Sequence, residues 1–399
     1  MFPVMNFIAP DRIETESVRI RAAARAVSRL AAERAEALDR TGAFPAGDII
    51  DCHEAGLLAA PLPVALGGSG LDAPAMAPIL RDVLTELGRG NLALGRLYEG
   101  HVNALSLILR YAAEPVLRRL VDDIQAGHLF GVWNTQPQIG GLDLDPHGTG
   151  TLAGAKSFAS GAGSVTRPLV TARRPDGRQQ MLVVSLDPGT RADLSSWRAH
   201  GMRASASGVL DFTGLPVAAQ AAVGAADDYF REPHFSAGAW RFTAVQLGGI
   251  EAVFDSLRAH LVATGRGGDP HQAARLGEAA IAVETARLFV GRAADLASDP
   301  DADPERVIAY VNLTRLAVER AGLDVIERAQ RSVGLAGFLE PHPLERQIRD
   351  LATYLRQPGP DRALTHAAAH VLAAPHTADA LWRNPGAEDA SDLRPGRAA

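Results

Sequence analysis

The stretch over residues 128–222 constrains the fold most. Glycine, serine and threonine rise there, and short apolar runs appear as LFGVWNT, GTLAGAKSFASGAG, PLVTARR, QMLVVSL and SGVLDFTGLPV. Turn signals such as PDG and DPG flank them, so the stretch reads as strands. On both sides the apolar pattern is helical. Over residues 11–39, Ile20, Ala23, Ala24, Val27, Leu30 and Ala31 recur at helix spacing. Helical patterning returns over 74–87, 92–111 and 115–126, and later in long runs over 242–263, 270–297 and 304–334. Pro270 and Pro304 suit the first turn of the last two. The expectation is a mostly α chain with a central β domain. A helical domain would cover 1–127, a small β-barrel or sandwich 128–222 and a four-helix bundle 223–385. A flexible tail would follow over 386–399, where large apolar side chains nearly vanish.

Several function classes drop out on composition. The net charge of −6 is spread along the chain without a basic block, so nucleic acid is not an expected partner. No apolar run approaches the ~18 residues of a membrane span, and a cytoplasmic location is expected. The single cysteine, Cys52, rules out an internal disulfide framework and reads as a buried thiol. No metal-ligand spacing surrounds it, and no metal is expected. The single lysine, Lys156, sits in a strand-like segment, an unsuitable place for a Schiff base.

Five segments carry a family resemblance, in order along the chain. They are PLPVALGGSGL, VWNTQP, GAKSFASGAG, WRAHGMRASASGVLDFTGLPV and AQRSVGLAGFLEPHPLERQIRD. Together they resemble the motifs of the acyl-CoA dehydrogenase superfamily across most of residues 11–360. The resemblance implies a flavoprotein with FAD, or with FMN if the chain follows the flavin-dependent monooxygenase branch. An isoalloxazine ring needs a flat apolar wall and hydrogen bonds at its polar edge. Trp133 and Phe158 could supply the wall, and Asn134, Thr135 and Ser160 the bonds. By resemblance, Thr135, Phe158 and Ser160 hold flavin-contact positions. Arg266 resembles the arginine that reaches FAD from a neighbouring subunit. Gly334 and Gly337 resemble glycines that admit the cofactor, although Leu335 replaces the glycine expected between them. Arg356 and Gln357 lie in the turn that should face the flavin. Without the resemblance, Trp133 and Phe158 read as ordinary core aromatics. Glu345 and Arg349, four apart on a helix, read as a salt bridge, and Asp350 as a structural carboxylate. Arg241 is a possible anion contact, but reads first as a surface or interface arginine.

The catalytic glutamate of that family is missing from both places where it is kept. Pro358 stands at one and Gly238 at the other. Glu99 and Asp361 are the carboxylates that could replace it. His101 resembles a histidine that the monooxygenase branch places at the flavin, and otherwise reads as a satisfied helix histidine. Three readings follow. The first is an FAD-dependent oxidoreductase that oxidises a CH–CH bond of an acyl-CoA or related small molecule and passes electrons to an electron-transfer flavoprotein. The second is a monooxygenase that uses O2 and takes reduced flavin from a flavin reductase. The third is a non-catalytic flavin or acyl-CoA binder. A homodimer or homotetramer is implied by the resemblance.

Overall fold

The computed structural model describes residues 10–383 except Ile139, Pro146, His147, Thr149 and Ala219, with side chains from Glu14 onward. The 386–399 tail lies outside the described residues. Five helices come first: α1 (Pro10–Thr41), α2 (Ala46–Glu54), α3 (Ala77–Gly90), α4 (Leu92–Tyr111) and α5 (Glu114–Gln125). Among the described residues, nine strands follow: β1 (Phe130–Trp133), β2 (Asp143–Leu144), β3 (Leu152–Ala153), β4 (Ala155–Ala159), β5 (Arg167–Arg173), β6 (Gln179–Val183), β7 (Ala192–Asp193), β8 (Gly208–Asp211) and β9 (Ala222–Val223). Helices close the chain: α6 (His234–Ala237), α7 (Trp240–Ala263), α8 (Pro270–Ser298), α9 (Pro304–Val333), α10 (Pro343–Tyr354) and α11 (Pro360–Ala373). The change in composition after Gly127 therefore falls between α5 and β1.

Local chemistry accounts for the helix ends. The Asp269 carboxylate accepts the N–H groups of His271 and Gln272 ahead of Pro270, and that of Asp303 accepts Arg306 N–H ahead of Pro304. Each cap satisfies donors that the first turn leaves unpaired. Asn91 does the same for α4.

The strands form two open sheets rather than a closed barrel. One runs β3-β2-β5-β6-β9, with β1 parallel to β5 and Trp133 opposite Val170. The other runs β4-β8-β7. The closing helices pack as the sequence suggests: α7, α8 and α9 lie against one another, α11 lies on α9, and α10 on α7. Helix α3 also packs tightly on α7. A Cβ built on Gly248 of α7 would sit 2.0 Å from the Thr85 carbonyl oxygen of α3, so only glycine permits that approach. One apolar core consequently runs from α1 and α3 through the bundle and reaches Trp133 and Phe212 of the middle segment.

Candidate functional site

Strand β4 carries an irregularity against β8. Lys156 faces Leu210 and Ala159 faces Gly208, so three steps on β4 match two on β8. This is a β-bulge, and it re-aims the side chain it carries. Phe158 sits in it at φ 51°, with 68% of its surface exposed. A left-handed backbone costs a non-glycine residue about 1–2 kcal/mol. An aromatic side chain held out of the core on strained backbone is the kind of outlier that points to a binding site.

The other candidates of this segment gather beside it. Ser157 N–H donates to the Thr135 carbonyl at 3.0 Å. Trp133 is buried against Phe212, and its indole N–H donates to the Ser160 carbonyl at 3.1 Å. The Ser207 hydroxyl donates to Ser160 Oγ at 3.1 Å and lies 2.9 Å from Ser205 Oγ. Trp133, Asn134, Thr135, Phe158 and Ser160 are thus one cluster. Trp133 supports it from the core, and Phe158 is its exposed ring.

Helix α4 faces this cluster. Arg96 and Gly100 line a cleft with Trp133 and Ser160 of about 10 Å³, room for a water at most. The cleft between α4 and β1 is thus too small for a flat tricyclic ring, whereas the Phe158 side chain is uncovered. Glu99 is buried. One of its carboxylate oxygens accepts from Arg96 and the other from the Asn103 amide. Asn103 Oδ1 in turn accepts from Arg241, which also donates to Ser106 and pairs with Asp72 at 3.5 Å. Arg241 is therefore an internal bridge between α7 and α4. Among the described residues, the buried Tyr354 hydroxyl has no hydrogen-bond partner.

Two further groups lie elsewhere in the fold. Arg266 donates to the Ser332 carbonyl at 3.2 Å, which ties it to the end of α9 beside Gly334. Gly334 has φ 72°, and a Cβ there would meet nothing within 4 Å. Gly337 is buried, while Leu335, Phe338 and Leu339 around it are exposed. Arg356 pairs with Glu319 at 2.9 Å, and the Gln357 amide donates to the Tyr354 carbonyl at 2.8 Å. Asp361 lies exposed in the first turn of α11.

His101 is fully buried with both ring nitrogens engaged. The Phe130 N–H donates to Nδ1 at 3.1 Å, so Nδ1 carries no proton, and Nε2–H donates to the Leu58 carbonyl at 2.8 Å. A flavin contact from this ring requires giving up one of those bonds. Burial lowers its pKa from 6.5 to about 4. Between those values the unfolded chain binds a proton that the folded chain refuses. The stability this group contributes is complete above pH 6.5 and is lost as pH falls towards 4, by about 3 kcal/mol. Urea denaturation across that range should show a loss in wild type that His101→Gln lacks. An equal slope in both proteins removes His101 as the cause.

The Arg349–Asp350 pair is a tie between segments distant in sequence. Arg349 binds Glu345, as its spacing suggests, and also Asp39 of α1 at 2.6 Å and the His200 carbonyl at 2.9 Å. Asp350 accepts the Met202 N–H at 2.6 Å and pairs with Arg346 at 2.9 Å. Sequence reasoning missed Arg96 and Asn103. With Glu99 they form a polar row at i, i+3 and i+7 of α4, a signal that was present.

Two family models match the chain: the N-terminal domain of acyl-CoA dehydrogenase over residues 14–128 and its C-terminal domain over 229–371. L-evernosamine nitrososynthase from a Micromonospora species is 28% identical over 358 residues, covering 82% of each chain. Dibenzothiophene monooxygenase from Mycolicibacterium goodii is 24% identical over 356 residues, covering 79% of this chain and 84% of that protein. The fold superposes on FMN-bound TdsC from a Paenibacillus species with a TM-score of 0.79 at 18% identity, covering 92% of this chain and all of the other. Among the described residues, no cluster of His, Cys, Asp and Glu could hold a metal ion. No described helix is long and apolar enough to cross a membrane.

Proposed function

The chain belongs to the acyl-CoA dehydrogenase family, and from that premise we propose that it is a flavin-dependent oxidoreductase acting on a small molecule. One observation carries the reading: Phe158, exposed and strained on the β4 bulge beside Thr135 and Ser160. An uncovered phenylalanine there costs both backbone strain and apolar exposure, and a flat ligand ring offsets the second. The donor set fits such a ligand. Phe158 provides the wall, and Asn134, Thr135 and Ser160 the polar edge. Arg266, Gly334 and Gly337 lie apart from this cluster within one chain and are proposed to meet the phosphate end of FAD from a neighbouring subunit, with Arg356 and Gln357 as further contacts. When bound, the flavin supplies hydride-acceptor or oxygen chemistry that protein side chains lack. FAD is the expected form, and FMN the alternative.

Two chemistries are proposed for that site. In dehydrogenation of an acyl thioester, Glu99 is the carboxylate to hold the proton, and it has to release Arg96 or Asn103 first. Electrons then leave to an electron-transfer flavoprotein. Oxygen transfer, fed by a flavin reductase, is supported by the engagement of both Glu99 oxygens and by the similarity to a nitrososynthase and a dibenzothiophene monooxygenase. The test supplies FAD or FMN to the purified protein. Anaerobic bleaching on adding octanoyl-CoA supports dehydrogenation. Substrate-dependent O2 uptake that requires reduced flavin supports oxygen transfer. No flavin binding in either redox state defeats both and leaves a binder of another ligand.

A homodimer or homotetramer is part of the proposal. Ile281 and Leu288 of α8 are exposed, and a groove of about 500 Å³ beside Ile281, Phe289, Leu316 and Leu364 would be closed by a second copy. Light scattering should give a mass at least twice that of one chain. A monomer contradicts this part alone.

A further inference from the structure

We infer that Lys156 is a positioning residue that sets which end of the Asn134 amide faces the flavin. This rests on the proposed function above. Lys156 is the one lysine of a chain that otherwise uses arginine, and its side chain is fully buried. Its ammonium donates to the Asn134 carbonyl and to Thr171 Oγ1, both at 3.0 Å. An ammonium cannot accept a hydrogen bond, so Thr171 must accept from it. The Thr171 proton is thereby directed onward, to Asn134 Oδ1 at 2.6 Å. The Asn134 oxygen is thereby held at Thr171, and its NH2 group is the end left to meet a ligand. A donor on that side matches a flavin carbonyl or ring nitrogen. Arginine cannot substitute, because its planar fork of five donors does not fit two acceptors in this geometry.

Deprotonation reverses the chain. A neutral Lys156 gains a lone pair, Thr171 can donate to it, and the Asn134 amide is free to turn its oxygen outward. Burial lowers the lysine pKa to about 7, within reach of ordinary conditions. The charged groups on neighbouring strands are engaged elsewhere. Asp211 of β8 accepts from Thr213 N–H, and Asp193 of β7 from Ser195 N–H. Arg167 and Arg173 of β5 pair with Asp123 and Asp143.

Because the chain has one lysine, protein labelled with ¹³Cε-lysine gives one resonance to follow. Without flavin, that resonance should titrate with a midpoint near 7. The midpoint should fall in Thr171→Val, which removes an acceptor from the charged form. FMN and FAD binding, followed by fluorescence quenching between pH 6 and 9, should weaken about tenfold through the same midpoint, as expected for one lost hydrogen bond. Lys156→Met and Thr171→Val should both bind flavin independently of pH. A lysine that titrates as an exposed one, or a pH profile that persists in both variants, overturns the inference. A lysine that titrates as expected in a protein that binds no flavin at any pH overturns the role given to Asn134 and the flavin reading together. The Lys156–Thr171 relay then survives alone.

Discussion

Replacing Phe158 by glycine is expected to leave the flavin-free protein at least as stable as wild type while weakening flavin binding about ten- to a hundredfold. Stability and binding separate because the residue is strained and uncovered. Phe158 has φ 51° on the β4 bulge, a conformation glycine adopts without strain. Relief of about 1–2 kcal/mol is partly offset by the roughly 0.5–1 kcal/mol of chain entropy that glycine adds to the unfolded state. The ring is mostly exposed, so its loss opens no cavity in the core. Stacking an aromatic ring on another contributes about 1–3 kcal/mol, which sets the loss of affinity. A core phenylalanine behaves oppositely, since its truncation costs about 3–5 kcal/mol of stability. Calorimetry of the flavin-free variant and a flavin titration distinguish the two. A large fall in melting temperature returns Phe158 to the core and removes the main support for the site.

The second large effect concerns folding. Arg349→Met is expected to destabilise the protein by about 3–5 kcal/mol, the range for breaking a buried ion pair on one side. The variant leaves Asp39, whose carboxylate is almost fully covered, without its bidentate partner, and leaves the His200 carbonyl without a donor. Arg349→Lys should recover only part of the loss, because an ammonium cannot span Asp39, Glu345 and His200 together. Flavin affinity should fall as well. The segment tied here leads through Met202 to Ser205 and Ser207, which hold Ser160. Gly201→Ala tests the same contact from the other side. Its Cβ would sit 2.1 Å from the Arg349 carbonyl oxygen, so the segment must move. Urea denaturation checks both variants. An Arg349→Met protein within 1 kcal/mol of wild type contradicts the role given to this tie.

Local features of the fold were legible in the sequence, and long-range features were not. Pro270 and Pro304 marked helix starts because an Asp cap and a proline act within one turn. The Glu345–Arg349 pair was legible because four residues make one helical step. Asp39, which completes that group, is 310 residues away and carries no local sign of it. Phe158 alternates like a core residue in its own strand. The bulge that exposes it exists only in the register between β4 and β8, and one strand alone cannot show that. The partners of His101 are backbone groups of Leu58 and Phe130, and a backbone group leaves no sequence signal. Likewise the strand pattern could not decide between a barrel and a sandwich. Closure depends on which edges pair, and here the two sheets stay open. The Arg96–Glu99–Asn103 row was within reach, because an arginine, a carboxylate and an amide at i, i+3 and i+7 share one face of a helix and can bond one another.

The most direct measurement is a crystal structure of the protein grown with FAD. Flavin density should lie over the Phe158 ring, with its polar edge at Asn134, Thr135 and Ser160. Phe158 covered instead by a side chain of a second copy, with flavin absent or bound at another place, contradicts the site at its root.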